Sequence, residues 1–318
     1  MTKKDKSVVN KIFMTVIGIV LAVYTLTIIF VLLWGLLTSL KSVLDYGYGK
    51  NVMGLPNLDA SVGWNSRKAF FEWFNYAEIF RYFPEVLKTM KKSFYVGDTL
   101  VTHRPNASVI GVFSNTFLYV VIGPLLQTIV PAIVAYATAK HDFKICKVIY
   151  GIALFSMIMP IVGNYTATID LMRNLGIYDT WIGYFIQKFY FGGMYYLVFH
   201  AFYKSLPNSY SEAAEIDGAS YYNILIRIIL PLSIKMLSSV WLIQFVHFWN
   251  DYQTPRLYLP THPTLAYAIW TLTTNYSRIA DMPTKVAGAM VLAMPILIFF
   301  IFFKDKLMGN VSMGGLKE

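Results

Sequence analysis

Hydrophobic positions along this chain fall into long uncharged runs, separated by polar stretches in which the charges collect. Between Lys11 and Lys41 lie 29 residues without a charge, more than the roughly 20 that a helix needs to cross a bilayer. The lysines ahead of it (Lys3, Lys4, Lys6 and Lys11) resemble the basic start of a signal peptide. The apolar core of such a peptide has only about 7–15 residues, so an uncleaved first span is expected. A second uncharged run lies between Arg104 and Lys140, with its helix expected over residues 115–138, and a third between Lys147 and Asp170. Pro124, Pro131, Pro160 and Gly163 interrupt these two runs, as membrane bundles tolerate where neighbours satisfy the freed backbone groups. Residues 181–203 read as a fourth span despite Lys188 and His200, residues 237–251 as a fifth and the uncharged residues 287–303 as a sixth. The pattern predicts an all-α membrane protein with six transmembrane helices.

Composition agrees with the pattern. The 318 residues are 56% hydrophobic and 14% charged, whereas a soluble domain carries about 25% charged residues. A single large soluble domain is thereby excluded. A net charge of +10 would point to nucleic acid on a soluble domain, but on a membrane protein it reports topology. With the N-terminus inside, 13 basic residues fall on the cytoplasmic side and 14 outside, nine of the latter in the 65-residue segment 41–105. Loops longer than about 60 residues are largely exempt from the positive-inside rule, which leaves five outside. An N-in, C-in arrangement follows, with a cytoplasmic tail and first helix over 1–40, an extracytoplasmic segment over 41–108 and a core domain over 109–318.

The single cysteine, Cys146, excludes an internal disulfide framework and a cysteine-built metal site. His200 and His247 lack partners at ligand spacing, so no metal is expected. There is no glycine-rich phosphate loop ending in Gly-Lys, so ATP is not expected on this chain. No nucleophile–base pair stands out, and no catalytic residue is assigned.

Residues 205–234 are unusual for a loop between two spans. Pro207, Asn208 and Ser209 suit the start of a short helix. Glu212, Ala213, Ala214 and Glu215 favour its body, and Gly218 offers the left-handed turn that ends it. From Tyr221 the sequence resumes as an apolar helix expected to stop at Pro231. Glu212-Ala213-Ala214, then Gly218, Ile228 and Leu230-Pro231 at fixed spacing resemble the EAA signature of bacterial ABC-importer permeases. The fuller run from Glu212 to Ser220 is similar to their carbohydrate-importer branch. Asn115-Thr116, the run from Ala135 to Lys140, Trp249-Asn250-Asp251-Tyr252 and, loosely, the Gly-rich tail at Gly314-Gly315 resemble the same branch. The resemblance covers about residues 12–40 and 110–318 and departs in the long outer segment.

The resemblance implies a permease subunit in the bacterial cytoplasmic (inner) membrane. Two such subunits pair across a pathway, and each offers its EAA loop to a cleft on one ATPase subunit. ATP with Mg is bound by that ATPase dimer, and an external sugar-binding protein delivers a carbohydrate, expected to be an oligosaccharide. Coupling then falls to Glu212, Ala213, Ala214, Asp217, Gly218, Leu230 and Pro231. Glu212 would pair with a basic ATPase residue, and the two alanines would let the helix lie close in the cleft. A merely solvated loop is the plainer alternative, against which the Ile, Leu and Tyr density of residues 221–230 speaks.

Substrate contacts are sought where polar groups interrupt apolar helices. At about 100° per residue, Gln244, His247, Phe248 and Asp251 share one face of the fifth span, flanked by Trp241 and Tyr252, while Leu242, Ile243 and Val246 point away. Polar groups beside aromatic rings suit a sugar, although helix–helix hydrogen bonding explains them equally. Asn250, Asn115, and Asn164 with Thr166 after the break at Pro160 and Gly163 complete the candidates. In the outer segment, aromatic residues from Phe70 to Phe83 predict a helix, with Pro84 starting another; such a helix suits the membrane–water interface, burial against its own bundle or packing on a partner, and the binding protein that the resemblance implies favours a small cap that meets it or the second permease. The alternative reading, an ion-coupled secondary sugar transporter, needs a carboxylate deep in the bundle, and Asp251 sits near a span end. A membrane enzyme acting on lipid-linked sugars lacks a catalytic pair.

Overall fold

The computed structural model describes residues 3–48, 51–56, 72–90, 92–96, 99–103, 108–159, 164–275 and 281–311. The N-terminal elements are α1 (Lys3–Ser39), a π-helical turn (Leu44–Tyr48) and α2 (Phe74–Thr89), followed by strands β1 (Lys92–Val96) and β2 (Thr99–His103). Then come α3 (Val109–Lys140), α4 (Lys144–Ile158), α5 (Asn164–Asn174), α6 (Trp181–Lys188), α7 (Met194–Ser205), α8 (Ser209–Ile216) and α9 (Tyr221–Ile224). A second π-helical turn (Leu225–Ile229) leads into α10 (Leu230–Asn250), and α11 (Gln253–Tyr258), α12 (Leu265–Asn275) and α13 (Met282–Val311) close the chain. The fold departs from the all-α expectation at one antiparallel hairpin, in which Lys92 faces His103 and Val96 faces Thr99. Its strands are rich in aromatic and β-branched residues, which suit a pleated ribbon better than a helix.

Among the described residues, four helical stretches are long and apolar enough to cross a membrane: Asn10–Ser39, Val109–Lys140, Tyr221–Asn250 and Met282–Phe303. The third and fourth expected spans are each built from two shorter helices. Between α6 and α7 the backbone leaves helical geometry at Phe189, and Gly193, at φ +92°, caps the start of α7. That conformation is open to glycine and strained for other residues. Helix α4 ends at Ile158, with Met159 in an extended conformation; Pro160 and Gly163, which follow, lie outside the described residues. In contrast, α3 runs through Pro124 and Pro131 without interruption. Each proline deletes one ladder bond, and both residues are buried by the packing around α3.

The chain divides into two compact units. The first comprises residues 1–82 and 272–293. Here α1 is uncharged from Ile12 onward and exposed as far as Val31, as a lipid-facing helix is, whereas Gly35, Thr38 and Ser39 near its end are buried. Past its end, Lys41 is 1% exposed, and its Nζ donates to the carbonyls of Asn51 at 2.6 Å and Val52 at 3.1 Å. The side-chain amide of buried Asn75 donates to the carbonyls of Ser39 and Lys41, both at 2.8 Å. Asn51 Nδ2 reaches Asp45 Oδ1 at 3.0 Å. Burial pushes the Lys41 ammonium down from its ordinary pKa, and nearby Asp45 partly offsets this. In the same unit, Asp281 caps α13 by accepting from Thr284 N at 2.8 Å.

Helix α2 begins at Phe74 and passes through Pro84, so no second helix starts at the proline; Phe70 and Phe71 of the expected helix lie outside the described residues. Asn75, Ile79, Phe83, Val86 and Leu87 form its buried stripe, while Pro84 is exposed. Burying several such side chains at about 1.5–3 kcal/mol each outweighs the roughly 3 kcal/mol that a proline costs inside a helix.

The second unit comprises residues 83–271 and 294–318. Its axis is α3, 32 residues long and so about 48 Å, on which α7 and α10 pack. Ala132 and Ala135 are fully buried beside Tyr196, Phe199 and Tyr203 of α7. Small residues on one helix admit the bulky residues of the other, the usual means of close approach in membrane bundles. Tyr196 Oη and Thr138 Oγ1 share a 2.7 Å hydrogen bond across this contact.

Candidate coupling loop and aromatic clasp

Two polar constellations stand out, both in the second unit. The first is the turn unit between α7 and α10. Helix α8 ends in a Schellman motif: Gly218 at φ +78°, Gly218 N donating to Glu215 O at 3.0 Å and Ala219 N to Ala214 O at 2.9 Å. These bonds satisfy carbonyls that the helix end would leave open. Ser220 then caps α9, its hydroxyl accepting from Asn223 N. The entry to the unit is held by Lys140 at the end of α3, whose Nζ donates to Leu206 O at 2.6 Å and Asn208 Oδ1 at 2.8 Å.

The exit is one continuous helix. The stop expected at Pro231 does not occur. At the π-helical turn the Leu230 N–H reaches back five residues to Leu225 O, and such a widened turn accommodates irregularity that an unbroken α-ladder does not. Proline at the second position of α10 needs no partner for the N–H it lacks. The π-helical turn therefore joins α9 to α10 without a break from Tyr221 to Asn250.

Glu212, Ala213, Glu215, Asp217 and Gly218 are exposed, together with Ile216 at 87% and Tyr221 and Tyr222 at 70% each. Ala214 faces the other way, into the core with Ile224 and Tyr203. Leu230 is half-buried and Pro231 exposed. The unit thus presents acidic and large apolar side chains on one outward face, and its inward face is fixed to the bundle.

The second constellation joins α3, α6 and α10 near the end of α10. Tyr119 Oη donates to Asp251 Oδ2 at 2.6 Å, and Asp251 Oδ1 accepts from Thr254 N at 3.0 Å. The ring of Tyr119 stacks on Tyr184 at 4.9 Å and lies 5.3 Å from Phe248. The Lys188 ammonium sits 5.2 Å from the Tyr184 ring centre and 5.1 Å from that of Phe248, a cation–π arrangement. Gly123 makes room for this packing, because a Cβ there would collide with the Tyr184 hydroxyl and the Phe248 ring.

The substrate candidates are dispersed around this clasp. Gln244 is buried and bridges helices, with Nε2 donating to Gln127 Oε1 at 3.3 Å. Trp241 Nε1 donates to Val121 O at 3.4 Å and Asn115 Nδ2 to Pro263 O at 3.2 Å. His247 and Asn250 are exposed, the latter bonded to Val246 O of its own helix. Asn164 and Thr166 are exposed on α5. Leu242, placed on the opposite face by the helical wheel, is buried, because α10 packs on more than one side. Tyr119, Tyr184 and Lys188 escaped the sequence reading. Lys188 carries a signal, a lysine inside an apolar stretch. Among the described residues, no group of three or more His, Cys, Asp or Glu side chains is placed to hold a metal.

Comparison with known proteins places this architecture. Residues 129–308 match the family model described as "binding-protein-dependent transport system inner membrane component". The chain is 26% identical over 231 residues to the trehalose transport system permease protein SugB of Mycobacterium tuberculosis, covering 71% of this chain and 80% of that protein. It is 27% identical over 207 residues to the arabinooligosaccharides transport system permease protein AraQ of Halalkalibacterium halodurans, covering 64% and 73%. A crystal structure of a bacterial ABC transporter involved in importing the acidic polysaccharide alginate shares the fold. Its TM-score is 0.68 at 19% identity, over 97% of this chain and 99% of that one. The family match spans more than half of the chain, from the middle of α3 to the last turns of α13, and the chain belongs to the inner-membrane components of binding-protein-dependent transport systems.

Proposed function

We propose that this chain is a permease subunit of an ATP-driven importer that moves a carbohydrate, an oligosaccharide, across the cytoplasmic membrane by alternating access. The observation that carries the reading is the α8–Gly218–α9 unit, which presents Glu212, Ile216 and Tyr221 outward and continues without a break into α10. A displacement of α8 by a partner is transmitted along a rigid rod towards the clasp at Asp251. The relatives named for trehalose and arabinooligosaccharides support the carbohydrate class. The partners are a second, homologous permease subunit, a dimer of ATPase subunits that binds ATP and Mg, and an extracytoplasmic sugar-binding protein.

In this reading the chain crosses the membrane six times with both termini inside. Four spans are the long apolar helices, and the α4–α5 and α6–α7 pairs supply the other two. Broken helices are compatible with a membrane where backbone groups are buried in protein or line a path. His247, Asn250, Asn164 and Thr166 remain the candidates to line that path, because their side chains are exposed. Gln244 bonds Gln127 across α10 and α3, and Asn115 ties α3 to the loop at Pro263.

The test is substrate-stimulated ATP hydrolysis by the purified assembly, repeated with Glu212 and Gly218 altered. Stimulation that is lost in both variants while the subunits still copurify is the expected result. ATP-independent, proton-coupled uptake by this chain alone would overturn the reading in favour of a secondary transporter.

A further inference from the structure

The fourth span is broken at membrane depth. After the eight residues of α6 end at Lys188, residues 189–193 are non-helical, and none of these five is buried. Lipid cannot satisfy freed backbone groups, so non-helical backbone at this depth persists only inside protein or along a water-filled cavity. Given the permease reading above, that cavity is the path between the paired subunits.

Lys188 stands at the edge of this break, half-buried. Its ammonium lies 5.1 Å from the centre of the Phe248 ring and 5.2 Å from that of Tyr184. Among the described residues no hydrogen bond or ion pair holds it. Asp251 attracts it from beyond bonding distance, but the Asp251 oxygens already accept from Tyr119 Oη and Thr254 N. A lysine that only snorkels carries its ammonium out into water, whereas this one is turned onto two buried rings. Ring faces attract a cation, yet a carboxylate that accepts its hydrogen bonds does so more strongly. The pairing of Lys188 is therefore incomplete, and charges inside spans that lack a fixed counter-charge mark substrate paths. Beside the same Phe248 ring, at 6.0 Å, stands the imidazole of exposed His247, and exposed Asn250 follows one turn later on α10.

We propose that Lys188 is a substrate contact of this permease and that the oligosaccharide it passes carries a carboxylate, as a uronic-acid sugar does. Before the sugar arrives, the ammonium rests on Phe248 and Tyr184. At the break, the sugar carboxylate accepts a charge-assisted hydrogen bond from Lys188 Nζ, and His247 and Asn250 offer polar groups to the hydroxyls. Asp251 stays with Tyr119, so the positive charge is left for the substrate. A neutral sugar leaves the ammonium on its rings and gains none of this pairing, which makes Lys188 a selectivity determinant.

The test uses the whole assembly in lipid nanodiscs with its binding protein. ATP hydrolysis is measured with trimers of galacturonate and of glucuronate, with their methyl esters, which keep the shape and lose the charge, and with neutral maltotriose and arabinotriose. An acid trimer is expected to stimulate with a kcat/KM about tenfold or more above that of its ester, the worth of one hydrogen bond between charged groups. That ratio should fall towards one in Lys188→Met and survive in Lys188→Arg. The binding protein is common to all variants, so a change in the ratio belongs to Lys188. A lysine that serves only the fold lowers acid and ester together in Lys188→Met and leaves the ratio unchanged, and that result overturns the proposal. Should Lys188→Met not assemble, the wild type decides alone, and a ratio of one overturns it. Stimulation by neutral trimers only refutes the acidic substrate and leaves the importer reading standing. Stimulation by no sugar at all is the separate failure of the importer reading itself.

Discussion

The Tyr119 hydroxyl donates a 2.6 Å hydrogen bond to Asp251 across 132 residues of sequence, tying the middle of α3 to the end of α10. Tyr119 is fully buried, so its hydroxyl depends on partners within the protein. A hydrogen bond to a charged group is worth about 1.5–3 kcal/mol. Tyr119→Phe removes the bond and leaves the ring in place. Thermal unfolding of the assembly in detergent is expected to show a loss of that size.

Gly123 supplies the space in which Tyr184 and Phe248 meet. Gly123→Ala is expected to destabilise the assembly by about 1–3 kcal/mol through overpacking. Gly151 on α4 is the control, because a Cβ there meets nothing within 4 Å and alanine is the better helix former by about 1 kcal/mol. Parallel melts of the two variants test the contrast, and equal effects would remove the packing role assigned to Gly123.

At Gly218 a Cβ meets nothing within 4 Å, but the φ of +78° is strained for a side chain. The expected order of substrate-stimulated ATP hydrolysis is wild type, then Gly218→Asn, then Gly218→Val. Asn tolerates the left-handed region and a β-branched residue does not. Copurification of the partner subunits separates lost coupling from lost folding.

Lys140 holds the entry to the same unit through Leu206 and Asn208. Lys140→Met keeps the apolar stem and removes both bonds. Amide hydrogen exchange at residues 206–212 is expected to rise by about tenfold or more, since each lost bond to a charged donor is worth about 1.5–3 kcal/mol. Exchange within α7 stays unchanged, and a uniform rise over α7 and α8 would contradict this local role.

Much of the candidate coupling unit was legible because its signals are local. Glu212-Ala213-Ala214 and Gly218 define a short helix and its left-handed stop from neighbouring residues alone, and the structure forms both. Pro231 misled for the complementary reason. A proline predicts a stop when only local bonding is considered, whereas the widened turn at Leu225–Ile229 lets the helix continue. Pro84 and Pro131 follow the same logic, being absorbed into helices whose packing outweighs one missing bond. Gln244 was read as facing a path from its position on a helical wheel, but a wheel shows only a face and cannot say that Gln127 stands opposite.

The amino-acid sequence by itself determined that the chain lives in a membrane, because uncharged runs of this length have no other solvent. It also determined where the coupling unit turns, because a Schellman stop is written within a few residues. Only the tertiary structure decided which polar groups are spent on holding helices together. Tyr119 with Asp251, Lys188 with Phe248, and Asp179 with His262 pair residues that lie far apart in the chain, and their chemistry arises from proximity that no periodicity encodes.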